Sequence, residues 1–408
     1  MIDLKLKLLV ASTAVALSSQ VLASEFVQID PVSLNQLKTE LSQHQAVPKI
    51  SEKYQALIAH ANTDLSMKNP TVMDKTLIPP SKNKHDYLSI SRYWWPDPSK
   101  ADGLPWIRKD GQTNPDTQTD AVDRPRISVM GNTVYELSLA YYLSGDEKYA
   151  EKAASMLTTW FLDPETKMNP NLNYAQSVPG YDKGRRAGIL DGRFVQTMVL
   201  DSVKMLENSK AWTPSDNKKM DQWLNAHLDW LIQSKIGISG AAQKNNHGTW
   251  YRFQVSSLAY YLGNKNVTQQ TVNETKNSMN TQFAIDGSQP EELARTRSFF
   301  YSCFNLNALS RVAIVADKLG DPIWEYQPSE GKGIKAGFDF VMPVIHGKEW
   351  KYKTPGIKQD YCVPALVKYN QFNPASNYAT ELQMITKYKG KDVQKVYNQM
   401  SILENNEM

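Results

Sequence analysis

The sequence predicts an all-α fold, an (α/α) toroid: an incomplete barrel of six or seven helical hairpins with long aromatic loops over a central cleft. Three observations predict it. Apolar residues recur at steps of three and four through several long segments, whereas strand-like alternation is rare. These segments follow one another as hairpins at irregular spacings, without the fixed period of a tetratricopeptide-type array. Between them run long loops rich in Trp and Tyr. Such loops suit the walls of a cleft better than an open solenoid, the other common outcome of stacked hairpins.

The chain of 408 residues opens on a leader. Lys5 and Lys7 make its start positive, residues 8–17 are apolar, and Val21-Leu22-Ala23 fits a small-x-small cleavage site. Cleavage after Ala23 leaves a mature chain from Ser24, so the expectation is an exported, periplasmic protein. No cysteine immediately follows the site, which argues against a lipid anchor. No later stretch reads as apolar for long enough to cross a bilayer. No Ser/Gly-rich or Pro-rich linker divides residues 24–408, which read as one domain.

The elements follow in order. Residues 85–106, "HDYLSISRYWWPDPSKADGLPW", form a loop, because their prolines cannot continue a helix. Residues 131–161 read as a helical hairpin turning at Ser144-Gly145-Asp146, with Val134, Leu137, Ala140 and Tyr141 on its apolar face. Residues 187–206 repeat that period through Leu190, Phe194, Met198 and Val203. Residues 213–233 begin with Thr213 as a cap and Pro214 at the first helical position. In residues 243–263 a polar Asn-Asn-His triplet opens an aromatic helix, and Asn245 or Asn246 can be its N-cap. In residues 290–309, Thr296 or Ser298 can start a helix with Phe300, Phe304 and Leu306 on its apolar side.

Charge and composition exclude several classes. Removing the leader, whose Asp3, Lys5 and Lys7 sum to +1, takes the formal charge from +4 to +3, and no Lys/Arg block occurs. That excludes a nucleic-acid partner, but suits an acidic substrate if the basic groups gather in one cleft. The six histidines are scattered without metal-ligand spacing, so neither a metal nor another cofactor is expected. Cys303 and Cys362 can form one bridge but not a disulfide framework.

Three segments carry candidate chemistry. Tyr93, Trp94 and Trp95 sit in a loop, where a core does not normally store tryptophan, and the apolar faces of sugars stack on such rings. The same rings can plug the barrel mouth, and both roles can hold together. In "QSVPGYDKGRRAGILDGR", residues 176–193, Arg185 and Arg186 can bind carboxylates bidentately or be ordinary helix-flanking charge. Asp191 can pair with either. Tyr301 lies four residues after Arg297 on the same helical face, so its phenolate should be stabilised and its pKa lowered; a buried structural tyrosine is the alternative. At the start of the 243–263 helix, Asn246 and His247 occupy the positive end of a dipole, which favours an anion and a neutral imidazole.

Asn246-His247 at a helix start, followed by Glu292-Leu293-Ala294-Arg295 and then Tyr301, resembles the alginate lyase superfamily of (α/α)-toroid polysaccharide lyases. The Tyr93-Trp94-Trp95-Pro96-Asp97-Pro98 loop and the Gly184-Arg185…Gly188-Ile189-Leu190-Asp191 segment resemble polysaccharide lyase family 38 more than the related family 5. The resemblance spans roughly residues 84–308. It implies a catalytic set of Asn246, His247, Arg295 and Tyr301. Arg185, Arg297, Tyr93, Trp94, Trp95 and Gln176 are expected at the substrate. The Arg-to-Tyr spacing is six here, against seven in the family 5 pattern, which leaves Arg297 as an alternative to Arg295 in binding the carboxylate.

The implied activity is cleavage of a β-1,4-linked polyuronate, poly-mannuronate alginate or glucuronan, by syn β-elimination. The expected partner is an anionic polysaccharide, with no membrane anchor. Two other readings stay open. A glycoside hydrolase on the same toroid needs opposed carboxylates, such as Asp191 and Glu292. A non-catalytic periplasmic glycan-binding protein keeps the aromatic loop and arginines without needing Tyr301.

Overall fold

The computed structural model describes residues 25–181, 185–373, 378–387 and 393–404. The leader with its cleavage site at Ala23, Gly184 and the side chain of Arg186 lie outside what it describes. Helices dominate: α1 (Pro31–Ser42), α2 (Pro48–Asp64), α3 (Arg124–Ser144), α4 (Glu147–Leu157), α5 (Ile189–Phe194), α6 (Leu200–Leu206), α7 (Pro214–Gln233) and α8 (Lys235–Ala241). They continue as α9 (Asn246–Tyr261), α10 (Lys265–Gln282), α11 (Pro290–Leu293), α12 (Ser298–Lys318), α13 (Ile334–Val341), α14 (Val363–Phe372), α15 (Ala379–Thr386) and α16 (Val393–Glu404).

Helix neighbours close a ring. α2 packs on α3, α3 on α6, α5 on α9, α9 on α12, α12 on α14, α14 on α16, and α16 returns to α2. The two ends of the chain therefore meet, which distinguishes a toroid from an open solenoid. Burial separates the inner layer from the outer. α9 and α12 are buried almost all round, whereas α10 buries one stripe, Thr268, Thr271, Val272, Thr275 and Met279. A helix apolar on one stripe covers a core, and one buried all round lies inside it.

The local signals act as their chemistry requires. Gly145, in the left-handed region at φ 77°, ends α3, and Asp146 caps α4. Thr213 and Asp216 form a reciprocal capping box, with Pro214 in the first turn of α7. Residues 187–206 differ from the single helix expected. A π-helical stretch, Val195–Val199, separates α5 from α6. Every residue from Asp191 to Leu206 is buried, so the register must shift to serve contacts on all sides. α12 corrects the expectation that no later stretch is apolar for long enough to span a bilayer. Its 21 residues meet that length and composition, yet it is almost wholly buried and is a core helix.

Two apolar clusters fill the ring, and α9 lies between them. Tyr251, Val255 and Leu258 face one, and Trp250 and Phe253 face the other. Val27 and Ile29 share the first cluster with Ile402 and Leu403 of α16. Cys303 and Cys362 are bonded, tying α12 to the start of α14.

The aromatic loop is partly ordered as strands, β1 (Leu88–Ile90) and β2 (Trp94–Trp95), which pair with β3 (Ile107–Arg108) just after it and with β4 (Tyr174–Ser177) from a later segment. β2 pairs with β3 as an antiparallel hairpin, and β1 pairs with β4 in parallel across a bulge. A fully buried ion pair, Lys75 Nζ to Asp123 at 2.9 Å, anchors this layer, because Asp123 also accepts from the backbone N–H of Leu88.

Candidate active site

The start of α9 is held from two sides. The side chain of Asn245 accepts from the His247 N–H at 3.0 Å, so Asn245 is the N-cap and leaves Asn246 and His247 in the first turn. Glu292 of α11 accepts from the Asn246 backbone N–H at 2.6 Å and from its Nδ2 at 2.7 Å. Both residues are 1% exposed. Burial pushes the Glu292 carboxyl up to about 7, against the opposing hydrogen bonds from Asn246 and the nearby Arg295. The amide Nδ2 carries two protons; Glu292 takes one and leaves the other for a ligand. Half-buried His247 stands next to it.

Arg295 lies between α11 and α12 and joins two partners. Its Nη2 donates to the Tyr301 oxygen at 2.8 Å and to Asp110 Oδ1 at 2.8 Å, while its guanidinium lies 3.8 Å from the centre of the Tyr301 ring. Asp110 accepts as well from the Thr296 backbone and hydroxyl and from Arg108. Burial alone would raise this carboxyl, but Arg295 and Thr296 hold it well below the usual range. Gly111 makes the turn possible: its φ is +77°, and a Cβ there would lie 2.5 Å from Thr296 Oγ1.

Tyr301 is buried and donates to the Tyr93 oxygen at 3.1 Å. Burial pushes its phenol above the ordinary value; Tyr93 adds to this and Arg295 opposes it. Two expectations are corrected. The arginine on Tyr301 is Arg295, not Arg297, and the net shift is upward. The helical-phase argument fails because Arg297 is the residue before α12, at a non-helical φ of −123°. Arg297 instead donates to the Tyr361 oxygen at 3.0 Å and lies 4.5 Å from the Phe300 ring centre.

A second group gathers around Ser91. Arg185 donates to Ser91 Oγ at 2.6 Å and lies 4.9 Å from the Trp94 ring centre. Ser91 Oγ donates to the backbone oxygen of Gln176 at 2.7 Å. Gln176 has a φ of +46°, strained for a residue with a side chain, and its Nε2 donates to Asp191 Oδ1 at 3.0 Å. Asp191 does not pair with Arg185. It accepts from Tyr87 and Ser89 and meets Arg124 at 3.5 Å. Trp95 packs apart from this group, donating to the Gln112 oxygen beneath Lys109.

The structure thus links Asn246, Arg295, Tyr301 and Tyr93 through Glu292 and Asp110, and Ser91, two residues before Tyr93, gathers Arg185 and Gln176 from a second segment. Sequence reasoning missed Asp110, Tyr361 and the clamp that Glu292 makes on Asn246. Asp110-Gly111 is a legible turn signal, but nothing local pairs it with a residue 185 positions away.

A family model for alginate lyase matches residues 71–350. An alginate lyase from Bacteroides ovatus matches with a TM-score of 0.84 and 35% identity, over 93% of this chain and 99% of that one. Alginate lyase A1-III from Sphingomonas species A1 matches at 0.50 and 15%, over 79% of this chain and 80% of its own. A histidine-to-alanine variant of A1-III complexed with tetrasaccharide gives 0.53 and 16%, over 79% of each chain. The two A1-III likenesses speak for the fold alone. No curated protein matches the chain. Fold and matches together define a polysaccharide lyase of the (α/α)-toroid class. The chain belongs to the alginate lyase family.

Proposed function

We propose that this protein cleaves poly-mannuronate or glucuronan by syn β-elimination, with Tyr301 as both base and acid. One observation carries the reading: a buried tyrosine has a guanidinium 2.8 Å from its oxygen, and that guanidinium is pinned in turn by Asp110. The phenol is protonated at rest. Arg295 lowers the cost of its anion, so the phenol can give its proton to solvent before substrate closes the site, and the enzyme then cycles through the phenolate.

The phenolate removes H5 of the uronate beside the scissile bond. The C–H electron pair enters an enolate spread onto the carboxylate and then forms C4=C5 as the C4–O4 bond breaks. Tyr301 returns the proton to the leaving oxygen. Abstraction beside an existing carboxylate builds a dianion, which must be stabilised first. The second Nδ2 proton of Asn246 and His247, both at the positive end of α9, suit that task. Arg295 is assigned to the phenolate rather than to the carboxylate. Arg297, with no carboxylate partner among the described residues, remains for a uronate. Arg185, Gln176 and Trp94, gathered around Ser91, are assigned to the sugar, with Trp95 on the same hairpin as Trp94.

Stereochemistry narrows the substrate. In β-linked mannuronate and glucuronate, H5 and the C4 oxygen share a ring face, whereas in guluronate they are opposed. One tyrosine reaches both atoms only in the first case. Mannuronate and glucuronate differ at C2, away from the reacting atoms, and the aromatic-loop motifs support family 38, where either polymer fits. Nothing favours the hydrolase reading, because both oxygens of Asp191 and of Glu292 already accept internal hydrogen bonds. The leader-like start of the sequence supports export, with this chemistry outside the cytoplasm. The test is ultraviolet absorbance on a panel of polyuronates: elimination leaves a conjugated double bond, and saturated fragments without absorbance would refute it.

A further inference from the structure

Residues 347–359, "GKEWKYKTPGIKQ", carry Lys348, Lys351, Lys353 and Lys358 against Glu349, a net of +3 beside +4 for the entire chain. These four lysines are exposed, and none meets a carboxylate at ion-pair distance among the described residues. Lys348, Lys358 and Lys387 border an open groove of about 710 Å³ lined also by Trp350 and Ile357, with Glu349 and Asp360 at its edge, and Lys351 and Lys353 lie exposed in the same segment.

The groove is fastened to the candidate active site. Trp350 Nε1 donates to Ser298 Oγ at 2.8 Å, and Ser298 Oγ donates to the Lys353 backbone oxygen at 2.6 Å. Ser298 opens α12, directly after Arg297 and one turn before Tyr301. At the far end, Asp360 precedes Tyr361, which accepts from Arg297. The Trp350 ring is held in place by Phe299 and Phe340, at 5.2 and 5.7 Å between ring centres, and beside it Tyr352 is 40% exposed.

We propose that residues 347–359 and Lys387 form a distal binding site for the same polyuronate chain, occupied by the part of the polymer that extends beyond the reacting sugars. This rests on the function proposed above. The chemistry fits such an occupant: fixed aromatic surface takes the apolar face of a sugar, and unpaired lysines on flexible stems follow repeating carboxylates without demanding one register. Exposed lysines act through a field that salt screens, so the contribution should be large for a long anionic chain at low ionic strength and vanish at high salt.

The test compares the mature Tyr301→Phe protein, which should hold polymer without cutting it, with the same protein carrying K348A/K351A/K358A. Binding is measured by titration calorimetry against long poly-mannuronate, a mannuronate trisaccharide and dextran as a neutral control. The lysine substitutions should weaken binding of the long chain about tenfold at low salt. Trisaccharide affinity should move less than twofold, and the difference should disappear in high salt. Unchanged long-chain affinity, or an equal loss for the trisaccharide, would overturn the proposal. The two readings fail separately. Lysine-dependent binding by a protein whose wild type makes no unsaturated product would keep the groove and sink the lyase. Turnover with lysine-independent binding would do the reverse.

Discussion

Tyr301 keeps its proton at neutral pH because burial outweighs the cation beside it. The turnover rate should therefore climb with pH into the alkaline range. Arg295→Ala removes the charge that opposes burial, so the rising limb should move to higher pH and kcat/KM at neutral pH should fall by about two orders of magnitude or more. A pH–rate profile that kept its midpoint would separate Arg295 from the phenolate. Glu292 makes a second residue-scale prediction. Its folded carboxyl titrates at about 7, above its ordinary 4.5. Between those values the folded state holds more protons than the unfolded, so this group's contribution to stability falls as pH rises through that window. Glu292→Gln should flatten the corresponding slope of Tm against pH. It should also cut turnover, because Gln offers one acceptor to two Asn246 donors. Wild-type turnover and an unchanged slope in that variant would contradict the clamp. At this scale the sequence was partly legible. The Asn-Asn-His triplet at a helix start marked a cap at Asn245 or Asn246, since capping is local, and the fold makes Asn245 that cap. The Tyr301 shift was misread, because four-residue spacing says nothing about desolvation or about which arginine folds back.

Among the elements, the β2–β3 hairpin and the turn that follows it do the most to build the site. Asp110 reaches Arg295 because Gly111 accepts a left-handed backbone that Thr296 packs against. Gly111→Ala should cost about 1–2 kcal/mol of stability and lower kcat more than it raises KM, because Arg295 loses its anchor while the sugar-facing rings stay. Unfolding curves and steady-state kinetics on the same preparation check both, and unchanged kcat would remove Asp110 from the account. The hairpin of α3 and α4 was legible from the periodicity of α3 and from its turn at Gly145, and the start of α7 from Thr213 and Pro214. The π-helical stretch was not, because a run buried on every side has no polar face to set its phase. The loop likewise hid its strands: two-residue pairings such as Trp94 with Arg108 carry no alternation to read.

At the scale of the whole molecule, an incomplete barrel was expected and the contact of α16 with α2 was not legible, since contacts between chain ends leave no local trace. The pairing of Cys303 with Cys362 was equally open, and the fold brings the two together across 59 residues. That bond ties α12, which carries Tyr301, to the segment that carries Tyr361. Replacing both cysteines with serine should cost about 2–4 kcal/mol, read as a lower Tm in oxidising buffer, and dithiothreitol should reproduce the loss in the wild type. A Tm unmoved by either would mean the bond does not support the native ring.

The central claim is that one tyrosine, charged with help from Arg295, serves as both base and acid on the single face of a syn elimination. It is tested most directly by initial rates of double-bond formation on size-matched mannuronan, glucuronan and guluronan at equal uronate concentration, for wild type and Tyr301→Phe. Mannuronan or glucuronan should be the fastest substrate, guluronan well behind, and Tyr301→Phe should lose about three orders of magnitude in kcat while binding persists. Guluronan as the fastest substrate would require a base on the opposite face, and near-wild-type rates in Tyr301→Phe would contradict the assignment of Tyr301 outright.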